Sequence, residues 1–119
     1  MTQDTNPLGS IEVSPEAIAT IASQAVLTTY GVVGMAAKNV VEGITNRLTR
    51  DPRLGVEVVL GDAAIDINLY IIVEYGTRIS SVAGSVANSV RFQVEKALGQ
   101  PIGDVNVHVQ GLRVSGPDA

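Results

Sequence analysis

The stretch Ile65–Glu74, "IDINLYIIVE", constrains this chain more than any other. Ile65, Ile67, Leu69, Ile71 and Val73 alternate with Asp66, Asn68, Tyr70, Ile72 and Glu74. Side chains of a strand point to opposite faces with a period of two, so one face here is wholly aliphatic and the other largely polar. A strand covered on both faces would instead read as a continuous apolar run. The chain must therefore build a sheet with one packed face and one open face. The preceding "VEVVL" (56–60) reads as a second strand, and Gly61-Asp62 as the turn between them, which predicts an antiparallel hairpin.

What covers the packed face can be read on either side of that hairpin. Ser14-Pro15-Glu16 is a helix start: a hydroxyl cap, a proline suited to the first position and an acid at the positive end of the dipole. Ile18, Ile21, Ala22, Ala25 and Val26 then form one helical stripe, and Gly31 is placed to end it. A second helix is predicted over 79–98, with Ile79, Val82, Ala83, Val86, Val90, Val94 and Ala97 on its inner side and Gly99 and Pro101 as its stop. A shorter helix is predicted over 38–49. "GSIEV" (9–13) and "VNVHVQGLRV" (105–114) read as strands, and Gly111 shifts the phase of the latter as a β-bulge does. The order β-α-(α)-β-β-α-β predicts an α+β fold. It is a two-layer sandwich with helices on one face of a mostly antiparallel or mixed sheet. Residues 9–114 form the single domain, with a flexible arm at 1–8 and a flexible tail at 115–119.

Several function classes are disfavoured at once. The chain has no cysteine, so neither a disulfide frame nor thiolate chemistry is available. No apolar run approaches the roughly 20 residues of a membrane helix, and no signal peptide is visible at the start. The formal net charge is −4 and the sequence pI about 4.7, which gives no general attraction to phosphate backbones. Arg47, Arg50 and Arg53 form the one basic cluster; loop arginines in solvent are the favoured reading, and contact with anionic lipid or an acidic partner surface is the minority one.

No constellation of catalytic groups is present. His108, the single histidine, lies between Asn106 and Gln110 on the polar side of its strand, where a surface role is expected. Asp66 and Glu74 stand about 26 Å apart along an extended strand, too far for an acid/base pair. Glu57 could approach Asp66 across the hairpin, as surface carboxylates commonly do. The expectation is a protein that is no enzyme and has no cofactor, no metal and no catalytic residue. "GVVG" (31–34) matches the Gly-x-x-Gly loop of KH domains, making a KH-like nucleic-acid-binding domain the alternative. Its variable positions are Val32 and Val33, which offer phosphate neither charge nor a hydrogen bond. The favoured reading is a helix stop and an apolar return, with Val32, Val33 and Met35 buried. The open sheet face supplies the candidate site. Val59, Tyr70 and Ile72 interrupt a rim of Glu57, Asp66, Asn68, Glu74, Asn106, His108 and Gln110, as in a protein-contact surface. Val59, Tyr70, Ile72 and His108 are its expected contact residues.

Four stretches together, "GSIEVSPEAIATIA", "YGVVGM", "IDINLYIIVEYG" and "VNVHVQGL", resemble the alkaline shock / envelope stress response proteins of Gram-positive and related bacteria. The resemblance spans roughly residues 9–114. It implies a small non-enzymatic domain, cytoplasmic and concerned with cell-envelope homeostasis. It also implies self-association into a homo-oligomer, and binding to an envelope-associated protein that holds it at the membrane periphery. Contact with the membrane itself is indirect, and nucleic acid is not an expected partner. No catalytic or cofactor residue comes with the resemblance.

Overall fold

The computed structural model describes residues 2–6, 9–37 and 51–114, with side chains from residue 12 onward. Its elements are β1 (Thr2–Asn6), β2 (Gly9–Val13), α1 (Pro15–Leu27), β3 (Val32–Met35), β4 (Val56–Leu60), β5 (Ile65–Glu74), α2 (Ile79–Leu98) and β6 (Val105–Arg113), with a 3₁₀ turn at Pro52–Gly55 before β4. The architecture is α+β, two helices against one side of a four-stranded mixed sheet.

β5 is the axis of that sheet. β4 runs antiparallel to its first half, from Leu60 opposite Ile65 to Val56 opposite Leu69. β3 runs antiparallel to its second half, with Met35 opposite Ile71 and Val32 opposite Val73. β6 runs parallel to it from Ile67 to Glu74, overlapping both. A strand has two edges, so β3 and β4 must lie end to end along one of them and β6 along the other. The parallel β5–α2–β6 unit is the crossover that such a pairing requires.

The aliphatic face of β5 lies under the helices. Ile65, Ile67, Leu69, Ile71 and Val73 join Ile18, Ala22, Val26, Val82, Val86, Val90, Val94 and Leu98 in one core. Helix α1 begins as its sequence predicts: the Ser14 Oγ accepts from the Ala17 N–H at 3.1 Å. It ends at Leu27, ahead of Gly31, where the Thr28 and Thr29 hydroxyls donate to the Ala25 carbonyl at 3.1 and 2.9 Å. Gly31, with φ of +94°, instead turns the chain into β3. Helix α2 stops at Gly99, which is left-handed with φ of +74°. Its buried ridge is Val82, Val86, Val90, Val94 and Leu98 at strict i, i+4 spacing, while Ile79 is 41% exposed and Ala97 is also exposed.

Three expectations are corrected. The arm at 1–8 contains a strand: Thr2–Asn6 pairs with Gly9–Val13 in a two-stranded antiparallel sheet, because backbone groups can pair whether or not the side chains carry an apolar period. As a result the "GSIEV" strand belongs to this hairpin and not to the main sheet. The place beside β5 is taken by Val32–Met35, expected to be an irregular return. Met35 is buried as expected, but Val32 and Val33 are only half-buried. The helix predicted at 38–49, the arginines at 47 and 50 and the tail at 115–119 lie outside the described residues. Arg53 is described, and it pairs with Asp51 at 2.9 Å.

Candidate protein-contact face

The register across β4, β5 and β6 decides which side chains meet on the face away from the helices. Val59 pairs with Asp66, Glu57 with Asn68, Asn68 with Asn106, and Tyr70 with His108. Directly opposed residues share a face, so these side chains form rows crossing the sheet.

Asn68 ties the central row together. Its Nδ2 donates to Glu57 Oε1 at 3.1 Å, and its Oδ1 accepts from Asn106 Nδ2 at 3.0 Å. His108 Nε2 lies 3.5 Å from the same oxygen, a donor contact when the proton is on that nitrogen. One amide thus links side chains of three strands. On the next row the Tyr70 and His108 rings stack, with centroids 4.7 Å apart and planes 11° from parallel. Tyr70 is half-buried, and His108 and Asn106 are exposed. Val59 stands on the same face, 42% exposed.

Asp66 stands opposite Val59 in the ladder, and Glu57 opposite Asn68. Its Oδ1 accepts from the Asp104 N–H at 2.8 Å, at the entry to β6. There Arg91 donates to the carbonyls of Ile102 and Gly103 at 3.3 and 2.8 Å, and Glu95 Oε2 accepts from the Ile102 N–H at 2.9 Å. A Cβ at position 103 would run into Asp66 Oδ1, so a side chain there would displace the carboxylate from the Asp104 N–H. The loop fixes the start of β6, and with it the register that brings His108 beside Tyr70.

Of the four expected contact residues, three stand on the open face and are accessible there: Val59, Tyr70 and His108. Ile72 is corrected. It lies on this face by alternation, but it is 1% exposed. Ala36, whose N–H donates to the Tyr70 carbonyl, is likewise buried, and neither residue belongs to the helix-side core. Ile72 pairs with Gly34 and Gly111 on the two neighbouring strands, where β3 and β6 each carry an extra residue. The face is closed at this end, and Ile72 supports the fold. Asn68 is the residue that sequence reasoning undervalued. Its place on the polar face was legible, but its bridging role depends on the parallel β5–β6 register, which is non-local.

The hydrogen bonds described on the face join Glu57, Asn68 and Asn106, with His108 Nε2 beside the Asn68 oxygen, and tie Asp66 to the Asp104 N–H. Among the described residues no group of three or more His, Asp or Glu could hold a metal ion. No described helix is long and apolar enough to cross a membrane. The "GVVG" segment is not a free loop. The Gly31 carbonyl accepts from the Glu74 N–H at 2.8 Å, the Val32 N–H donates to Thr29, and Val32–Met35 lies in the ladder with β5. A phosphate clamp needs such backbone groups unengaged.

Residues 3–114 match the model of the alkaline shock protein family, whose function is described as cell envelope-related. The chain is 42% identical to YloU of Bacillus subtilis (strain 168) over 111 residues, 92% of each protein. It is 36% identical to Spy1614 of Streptococcus pyogenes serotype M6 over 91% of each, and 33% identical to YqhY of Bacillus subtilis over 93% of this chain and 82% of that protein. Among solved structures, two forms of MamM align at 13% identity with TM-scores of 0.48 and 0.49, covering 87% and 88% of this chain and 89% of each of theirs. The chain belongs to the alkaline shock protein family.

Proposed function

We propose that, within the cell envelope-related function of its family, this chain acts without catalysis, by self-association and by binding an envelope-associated protein through the open face of its sheet. In this reading it works in the cytoplasm and reaches the membrane only through that partner. The observation that carries the proposal is the Tyr70–His108 stack. Two aromatic rings lie flat against each other on a face that neither described helix covers, with Asn68, Asn106 and Glu57 along one side. An amphipathic aromatic set among amides provides apolar area with little side-chain entropy to lose, which is why such residues dominate protein interfaces. A stacked imidazole also has no need of a catalytic role to account for its place.

The test is Tyr70→Ala, with His108→Ala as its companion, while Ile72 is left intact because it is buried. Circular dichroism checks the fold, and affinity capture from membrane and soluble fractions of the native cell checks binding. A central aromatic anchor is worth about 2 kcal/mol or more, roughly a thirtyfold loss of affinity. A folded Tyr70→Ala protein that captures the parent's partners in the parent's yield would remove the open face from consideration.

A further inference from the structure

The outer edge of β6 is a second feature that no other described strand covers. Two hydrogen bonds fix which of its backbone groups face β5. The Ile67 N–H donates to the Asp104 carbonyl at 2.9 Å, and the Tyr75 N–H to the Arg113 carbonyl at 2.8 Å. N–H and C=O of one residue point the same way in a strand, and the direction alternates. From Asp104 the inward set is therefore 104, 106 and 108. The bulge beyond Val109 reverses the parity, so that 111 and 113 point inward, in agreement with the Arg113 bond. The outward-facing groups are those of Val105, Val107 and Val109, and after the bulge Leu112. Among the described residues no strand pairs with them.

Edges of this kind are usually guarded by shortness, charge, proline or a bulge. The opposite side of the sheet has such guards: β4 is five residues long and carries Glu57, and β3 is four residues long and bulged. β6 spans nine residues, with no charged residue and no proline between Asp104 and Arg113, and it is unbulged from Val105 to Val109.

We propose that the Val105–Val109 edge of β6 is a docking site for the same segment of a second copy, added antiparallel about a two-fold axis through Val107. The segment is self-complementary in that register. Val107 meets Val107 of the second copy and Val105 meets Val109, each pair facing with its free N–H and C=O, which gives about six backbone hydrogen bonds. The valine side chains meet on the helix side, where all three are now only half-buried against the core. On the open side Asn106 meets His108, an amide beside an imidazole. Asp104 falls opposite Gln110, so no like charges are opposed. This proposal rests on the self-association put forward above and specifies where it occurs.

Amide hydrogen exchange, followed residue by residue at low and high protein concentration with sedimentation velocity alongside, tests it. The amides of Val105, Val107 and Val109 are expected to gain tenfold or more protection as the chain dimerises, while those of Asn106 and His108, already bonded to β5, hold constant. Val107→Pro removes an outward N–H without touching the ladder to β5, a place where an edge strand accepts proline. It should leave a folded monomer, whereas Tyr70→Ala should still dimerise. If the chain associates while the three valine amides exchange equally at both concentrations, the edge is not the contact, and self-association through another surface stands. If the chain stays monomeric up to about millimolar concentration, the edge site and self-association fall together, and partner binding by the open face is left to its own test.

Discussion

The first glycine of "GVVG" can be tested as a structural residue, with a built-in control. Gly31 has φ of +94°, and a Cβ on it would lie 2.7 Å from Val82 Cγ2 and 3.4 Å from Cγ1. Val82 is buried and β-branched, so it has one strongly preferred rotamer in a helix and little room to give way. Gly76 has nearly the same backbone, φ of +96°, but a Cβ there would meet nothing within 4 Å. Gly76→Ala therefore reports backbone strain alone, about 1–2 kcal/mol. Gly31→Ala adds forced repacking around Val82, about 1–3 kcal/mol more, for a total of about 2–5 kcal/mol. Urea unfolding of both variants, with unchanged m-values as evidence of a common two-state transition, measures the difference directly. If Gly31→Ala is no more destabilising than Gly76→Ala, the contact with Val82 does not hold this turn in place. If it is neutral, the glycine is not structural and the case against a ligand loop loses its footing.

Other expected outcomes follow from single contacts. Ile72→Ala should destabilise by about 2–5 kcal/mol, as for a fully buried isoleucine, while Val59→Ala on the same face should change stability by less than about 0.5 kcal/mol; chemical denaturation separates them. Arg91→Ala leaves the Ile102 and Gly103 carbonyls without their donor and should lower stability by about 1–3 kcal/mol, with chemical-shift changes concentrated at Asp66 and the start of β6. The Asp51 carboxyl accepts hydrogen bonds from the Arg53 side chain and backbone, which hold its pKa below the ordinary 3.8. Its contribution to stability is present above that ordinary value and is lost as pH falls through the depressed one. An NMR titration of Asp51 should show a midpoint below 3.8 that rises in Arg53→Gln, because the guanidinium bond is its largest cause.

Features written as a local period were legible in the sequence. The alternation in β5, the extent of α2 and the phase shift at Gly111 all appear where the pattern puts them, because each depends on residues within a few positions; the inner side of α2 was drawn too wide, since Ile79 and Ala97 are exposed and Leu98 completes the buried ridge. Three others were not legible, each for a different physical reason. β3 is four residues long and bulged, so it has neither the length nor the alternation of a strand; only its partner on β5 makes it one. Thr2–Asn6 has no apolar residue at all, so no hydrophobic period marks it as a strand. Alternation assigned Ile72 to the correct face but could not reveal that this end of the face is closed. Tyr70 and His108 lie far apart in the chain and were separately recognised as open-face residues; that they stack follows from the parallel register, which the loop around Arg91, Asp66 and Gly103 sets.

The bulge in β6 links the two proposals. On the side of Arg113 the open face is closed, since Ile72 is buried there. On the side of Val105 the bulge leaves a regular stretch whose outward groups are those of Val105, Val107 and Val109, and whose open-face side chains are Asn106 and His108. A second copy paired along this stretch would continue the sheet, so the two open faces would lie side by side on one surface and neither would be hidden. Assembly through the edge would then present two Tyr70–His108 stacks to a partner at once. A partner with two matching sites, or one concentrated at a membrane surface, would bind such a dimer more tightly than a monomer without any new contact, because the second engagement is intramolecular. Self-association and partner binding would be one device, in which the edge sets the number of copies and the face sets what they hold. Val107→Pro, which leaves the face untouched, should therefore weaken capture by a bivalent partner while leaving the affinity for a single partner domain unchanged. Equal losses in both would mean that the variant had disturbed the face itself, and that edge and face are not separable.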